Sequence, residues 1–313
     1  MRLKPILLIL AGTAGCLPLP ASSRTETEIW GVSSPSAHDR PTAGFAKVVD
    51  TWIVLDSSSF RPALVFQPLI ATAAEGRLSI VTSLQGGRYH PEVVRGIGES
   101  EDAVTNTART IATLIAPGSA GLILDFQEMA PEDLNLLARV SRAIADSARS
   151  KSIKQVVMVI PAGDSAAYPA AGLARIADLL IVRLFPEHGI GTAAGPIVSP
   201  PWFARGLGAR ASEVGVTRII AGLPADGILW SARGSARRVS YAEALQLAER
   251  ASTSFVRDAA SGNLHATSAR EGWEIWLVDH ELIERLIAEG RRIGVTRFVL
   301  FGLDGGDPLL FRR

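Results

Sequence analysis

Eight short runs rich in β-branched and apolar residues, separated by longer helical patterns, constrain this chain more than any other feature. They fall at 28–32, 48–55, 78–84, 121–126, 155–160, 179–184, 218–222 and 297–301. Several are apolar almost throughout, as in Val156-Val157-Met158-Val159-Ile160 and Leu179-Leu180-Ile181-Val182. A strand with one wet face alternates apolar and polar residues; a strand covered on both faces does not. Such runs belong in a parallel sheet whose crossover connections lay helices over it. Helical patterns occupy the intervals. One covers 101–115 after Ser100, and another covers 131–148, where Pro131, Glu132 and Asp133 suit a first turn with unpaired N–H groups. A third follows the capping box Ser240-Tyr241-Ala242-Glu243 over 244–251, and a fourth runs over 280–292 before Gly294.

Eight such units in 313 residues predict an α/β fold, a (β/α)8 TIM barrel formed as one domain over 28–313. The stretch 225–279 is too long for one connection. It is predicted to be an insertion between strands seven and eight, carrying a small β-hairpin of 255–258 and 273–276 that turns near Asn263.

The first fifteen residues stand apart. Arg2 and Lys4 precede an apolar run from Pro5 to Leu10 and then small residues up to Cys16, the layout of an export signal that is too short to span a bilayer. Thr13-Ala14-Gly15-Cys16 resembles the bacterial lipoprotein box, which implies a signal over 1–15, lipidation of Cys16 as first mature residue and a Pro/Ser-rich tether over 16–27. The expected location is therefore outside the cytoplasm, on a lipid anchor in the cell envelope or periplasm, or else secreted. Thr13 departs from the box, which prefers Leu there.

Charge narrows the partners. With 32 Lys plus Arg against 31 Asp plus Glu the formal charge is +1, and no basic run exists to displace counterions from phosphates, so no nucleic-acid partner is expected. One cysteine and five scattered histidines offer no internal disulfide and no zinc spacing, so neither a metal nor a cofactor is expected.

In a barrel of this kind chemistry gathers at the C-terminal ends of the strands. The fourth run ends Gly121-Leu122-Ile123-Leu124-Asp125-Phe126-Gln127-Glu128. Strand side chains alternate, so Asp125 and Gln127 share a face in the mouth while Glu128 turns away unless the chain bulges.

Here the chain resembles glycoside hydrolase family 18, the chitinase-like barrels, and especially the spore-germination and polysaccharide-deacetylase-associated branch. That branch reads Gly-x-x-x-Asp-Phe-Glu at its fourth strand. Four more segments follow in the branch's order. Phe185-Pro186-Glu187-His188, with Gly195-Pro196-Ile197 and Trp202-Phe203, matches its sixth-strand segment. Gly222-Leu223-Pro224-Ala225-Asp226-Gly227 with Trp230 matches the seventh. Val239-Ser240-Tyr241 and Trp276-Leu277-Val278-Asp279 match the insertion, and Phe301-Gly302-Leu303-Asp304-Gly305-Gly306-Asp307-Pro308 the eighth. Ser83-Leu84-Gln85-Gly86-Gly87 resembles the third-strand Ser-x-Gly-Gly more loosely and predicts a tight loop at the rim.

The resemblance implies substrate-assisted cleavage of an amino-sugar polysaccharide. An acid at the strand end protonates the leaving oxygen while the sugar's own 2-acetamido carbonyl attacks the anomeric carbon. A neighbouring Asp orients that acetamido group, a sixth-strand Tyr supports it, and an eighth-strand Trp floors the subsite. Asp125 keeps its place. The acid position is Gln127, whose amide has no proton to transfer near neutral pH. The Tyr position is Phe185, the next Asp is Pro186, and the floor is Phe301.

The leading expectation is an exported family 18-like barrel that binds a chitin-like, peptidoglycan or poly-N-acetylglucosamine chain with hydrolysis weak or lost. Glu187, His188 and Trp230 are further candidates for sugar contact, and Trp202 and Trp276 are aromatic surfaces that either stack on sugar or pack. Two alternatives differ. In one, Glu128 or a re-aimed Glu187 donates the proton and the chain is an active O-glycosyl hydrolase. In the other, the barrel is a non-catalytic envelope interaction module with a filled mouth and an exposed apolar patch elsewhere.

Overall fold

All eight apolar runs pair into one sheet that closes on itself. The computed structural model describes residues 26–35, 37, 44–66 and 76–311; the signal, Cys16 and nearly all of the tether lie outside them. The barrel strands are, in order, Glu28–Val32, Lys47–Leu55, Arg77–Thr82, Gly121–Asp125, Val156–Pro161, Leu179–Arg183, Ile219–Pro224 and Arg297–Phe301. Within the ring each is parallel to its barrel neighbours, and the first pairs with both the second and the eighth, which closes the ring; Pro62–Phe66 adds an antiparallel strand against the second. The (β/α)8 barrel read from the sequence is the fold.

Alternation sorts each strand between two cores. Trp30, Ile80, Ile123, Val159, Ile181 and Val299 point inward and fill the barrel. Leu122, Leu124, Val156, Met158, Leu180 and Val182 point outward and meet the helices. The helices form where the pattern predicts, at Glu101–Leu114, Leu134–Ser150, Tyr241–Arg250 and His280–Ile293, and Pro200–Val214 adds another. Side-chain oxygens cap three of them: Ser100 accepts from the N–H of Ala103, Ser240 from Glu243 and Asp279 from Leu282, each stabilising a helix start by about 1 kcal/mol.

Two departures shape the mouth. After the third strand, Leu84–Gln85 and Arg88–Tyr89 form a two-residue-loop hairpin across Gly86 and Gly87, whose φ values are 60° and 83°. That turn type needs positive φ at both central residues, which glycine adopts without strain. The rim loop foreseen at Gly86-Gly87 is this hairpin, and it turns Tyr89 back toward the barrel axis.

The insertion is larger than a hairpin. Gly227–Ser231, Ala236–Val239, Val256–Arg257, Leu264–Ser268 and Trp273–Leu277 form a five-stranded antiparallel sheet. Residues 256–257 pair with 264–265, while 264–268 pair with 273–277, so the 255–258 run is an edge and not the partner of 273–276. Helix Tyr241–Arg250 covers this sheet through Ala244, beside Leu229, Ile275 and Leu277. Its outer strand brings Arg238 and Val239 to the mouth.

Candidate functional site

The site begins where the fourth strand stops. Ile123 and Asp125 face the barrel interior, and the alternation carries past the strand end to Gln127, which is 4% exposed, whereas Glu128 is exposed. Tyr168 fixes this segment. Its hydroxyl donates to the carbonyl of Phe126 (2.9 Å) and accepts from the N–H of Met129 (2.9 Å). Between these two anchors Glu128 takes a left-handed φ of 64°, an unfavourable conformation for a residue with a side chain. Bringing Glu128 into the barrel would mean undoing both Tyr168 bonds.

Asp125 is the hub of a hydrogen-bonded chain. Its Oδ2 accepts from the Tyr89 hydroxyl at 2.8 Å and its Oδ1 from Gln127 Nε2 at 3.0 Å. The Tyr89 oxygen in turn accepts from Arg183 Nη1 at 2.9 Å. Gln127 Nε2 also donates to the carbonyl of Val159 at 2.9 Å, so both amide protons are engaged. Burial pushes the Asp125 carboxyl above its ordinary range, against the opposing pull of the Arg183 charge and the bonds from Tyr89 and Gln127. Desolvation raises the Tyr89 phenol as well, so Tyr89 stays a neutral donor at physiological pH.

Over this network opens a cavity of about 370 Å³. Phe185 and Phe301 form one wall with ring centroids 5.5 Å apart, tilted by 52°. The Arg183 guanidinium lies 4.9 Å from the Phe185 ring centre and 5.3 Å from that of Tyr89. Across the mouth Arg238 grips Asp226 with two bonds, 2.6 and 2.7 Å, and at the rim Asp304 accepts from the backbone and the hydroxyl of Ser34, both at 2.7 Å. Trp52 also lines the cavity; its indole N–H is buried without a hydrogen-bond partner.

Of the residues singled out in the sequence, Asp125, Phe185 and Phe301 line this cavity, and Gln127 lies against Asp125. The others lie apart. Glu187 Oε2 accepts from the N–H of Ser199 (2.8 Å), and His188 Nδ1 lies 3.2 Å from the carbonyl of Ala193. Trp230 is buried and donates to the carbonyl of Thr192 (3.0 Å), and Trp276 stacks on His265 at 4.3 Å. Glu128, Glu187, His188 and Trp230 are not among the cavity's lining residues. Sequence reasoning missed Tyr89, Arg183, Asp226 and Arg238 as mouth residues. One signal was available: Arg183 follows Leu179 and Ile181 at period two, which directs it inward.

Among the described residues, Asp279, His280 and Asp307 place ligand atoms within 4.8 Å of one another. Protein groups already use them. Asp279 binds Arg257 and caps a helix, and Asp307 accepts from the backbone of His280 and lies 2.8 Å from its Nδ1.

No family model matches the chain. By sequence it is similar to a Bacillus subtilis protein named as a sporulation-specific glycosylase, YdhD, at 22% identity over 160 residues, covering 49% of this chain and 38% of YdhD. The chain thus spans well under half the length of that relative. By structure it is similar to a class V chitinase from Pseudomonas fluorescens Pf-5, with a TM-score of 0.74 at 16% identity over 91% of this chain and 98% of the chitinase. The fold is thus a (β/α)8 barrel similar to those of the class V chitinases. Another such barrel, a Glu-to-Gln variant of the class V chitinase of Nicotiana tobaccum in complex with NAG4, gives a TM-score of 0.68 at 13% identity over 90% of this chain and 95% of its own. Within a chitinase-like barrel the end of the fourth strand is the segment that the ordered motifs single out. Among the described residues the carboxylates lining the cavity are Asp125, Asp226 and Asp304.

Proposed function

We propose that this chain binds an N-acetylglucosamine-containing polysaccharide in the barrel mouth, at the cell envelope, and that it cuts that polysaccharide poorly or not at all. One observation carries the reading: the side chain at the acid position is the Gln127 amide, with both of its protons engaged by Asp125 and the Val159 carbonyl.

In this reading the sugar enters the cavity with one face on Phe185 and Phe301 and its 2-acetamido group toward Asp125. Cleavage would proceed by attack of the acetamido carbonyl on the anomeric carbon as the glycosidic oxygen leaves. That oxygen needs a proton. General acid catalysis contributes about 10²- to 10⁴-fold, and an amide supplies none of it. Glu128, the rescue candidate, lies at the surface behind the Tyr168 anchors. Against the interaction-module alternative, Phe60, Leu64 and Val65 do expose apolar surface beside the second barrel strand, but among the described residues the mouth is open and not filled. Export on a Cys16 lipid anchor is part of the proposal and rests on the signal-like layout of residues 1–16.

The test is to incubate the purified chain with chitooligosaccharides, peptidoglycan and poly-N-acetylglucosamine and to measure binding and product release separately. Binding to at least one without product is expected. Turnover comparable to an active chitinase refutes the impaired chemistry, and binding to none refutes the glycan reading.

A further inference from the structure

We infer that the mouth selects a saccharide bearing a carboxylate, and that Arg183 is the residue that recognises it. The inference rests on the glycan reading above and names the substrate class within it.

Donors and acceptors in the cavity are unequally matched. Its carboxylates already accept from protein donors: Asp125 from Tyr89 and Gln127, Asp226 from Arg238, and Asp304 from Ser34. Its donors are in surplus. Arg183 carries five N–H groups and makes one hydrogen bond among the described residues, to the neutral Tyr89 hydroxyl. No carboxylate of the described residues pairs with it directly. A ligand that complements this wall brings acceptors, and one that also neutralises the guanidinium brings negative charge.

Position strengthens the point. Arg183 ends the sixth strand on the inward face that Leu179 and Ile181 occupy below it, a place where a charge with no counter-ion is costly and aliphatic packing is the rule. It is also held in advance of binding. The guanidinium rests on the faces of Phe185 and Tyr89 and is pinned by Tyr89, so little side-chain freedom is lost when its fork meets a carboxylate. The remaining mouth charges do not cancel this preference. Asp226 and Arg238 neutralise each other, Asp304 is at the exposed rim, and Asp125 is separated from Arg183 by the Tyr89 hydroxyl and is pushed toward its neutral form by burial.

Two kinds of amino-sugar polymer offer such a group: those with a lactyl ether carboxylate on the ring, and those with a uronic acid carboxylate at C6. The experiment measures equilibrium binding of the full chain to tetrasaccharides of each kind, to their carboxyl-amidated forms and to the neutral N-acetylglucosamine tetramer. In at least one series the acid should bind at least about tenfold more tightly than its amide, the size expected for a charge-assisted fork, and that series identifies the source. This ratio should collapse in Arg183→Met and recover in part in Arg183→Lys. For the unsubstituted chain, added salt should weaken binding of the acid and leave the amide nearly unaffected, a readout that needs no variant to fold. Equal binding of acid, amide and neutral tetramer overturns the carboxylate inference and leaves the glycan reading standing. Binding of none of them overturns both.

Discussion

Gln127→Glu puts an acid where the amide lies, and the structure sets what that acid must do. A glutamate in the same rotamer presents an oxygen to Asp125 Oδ1 at the 3.0 Å now spanned by Gln127 Nε2. Two carboxylates about 3 Å apart repel by about 5 to 6 kcal/mol at an effective dielectric near 20, or about four units of pKa. They cannot both ionise near neutral pH, so the pair keeps one proton, and that proton is what the native chain lacks. The substitution also costs stability. Gln127 donates to Asp125 and to Val159, whereas one shared proton satisfies only one of them, so a loss of about 1 to 3 kcal/mol is expected. The assay is reducing-end release from an N-acetylglucosamine tetramer between pH 4 and 8, with both proteins checked for folding and binding. Product should rise by about 10²-fold or more for Gln127→Glu over the native chain, within the range for a general acid, and fall as pH climbs past the pair's upper titration. A folded, sugar-binding Gln127→Glu that releases no more product than the native chain would refute the reasoning, because the missing proton would not be what limits cleavage.

Three further outcomes follow from the same geometry. Glu128→Gln should leave sugar binding and product release unchanged, because Glu128 is exposed and outside the cavity; loss of a measurable activity would locate the acid there. Tyr89→Phe removes the hydroxyl between Arg183 and Asp125 and should destabilise the fold by about 2 kcal/mol, or about 3 °C in Tm, as read by thermal unfolding; an unchanged Tm would mean the bridge contributes nothing. Asp125→Asn probes pH dependence. The carboxyl is raised in the folded state, so the native fold binds its proton more tightly than the unfolded chain and loses stability as pH rises past about 4. Urea unfolding at pH 4, 5.5 and 7 should show the Asn variant gaining stability relative to the native chain as pH rises from 4, until the folded-state carboxyl has titrated, and a trend the other way would mean the mouth stabilises the charged form.

Much of the fold was legible in the sequence because burial on both faces leaves a mark that needs no partner to read. Val156 to Ile160 has no polar side, and neither does Leu179 to Val182, so both had to be covered strands. Asp125 and Gln127 were likewise readable as neighbours, since alternation along one strand is a local rule. Tyr89 and Arg183 meet across 94 residues, and only ring closure brings them together. Arg238 stands on an edge strand of the insertion, where Arg237-Arg238 carries no apolar pattern to announce a strand. The same lack of pattern made the insertion look like a hairpin: Gly227–Ser231 directly continues the seventh-strand motif, and its separate pairing with Trp273–Leu277 is a long-range fact. Trp230 shows the limit from the other side, because its aromatic character suggests a sugar platform while its indole N–H is spent on the Thr192 carbonyl.

The most direct measurement is a crystal structure of the native chain grown or soaked with an intact N-acetylglucosamine-containing tetrasaccharide at saturating concentration. An uncut oligomer is expected in the mouth, with an acetamido group at Asp125 and a sugar ring against Phe185 and Phe301. Cleaved sugar in that cavity, or intact sugar seated elsewhere on the barrel, would contradict the account.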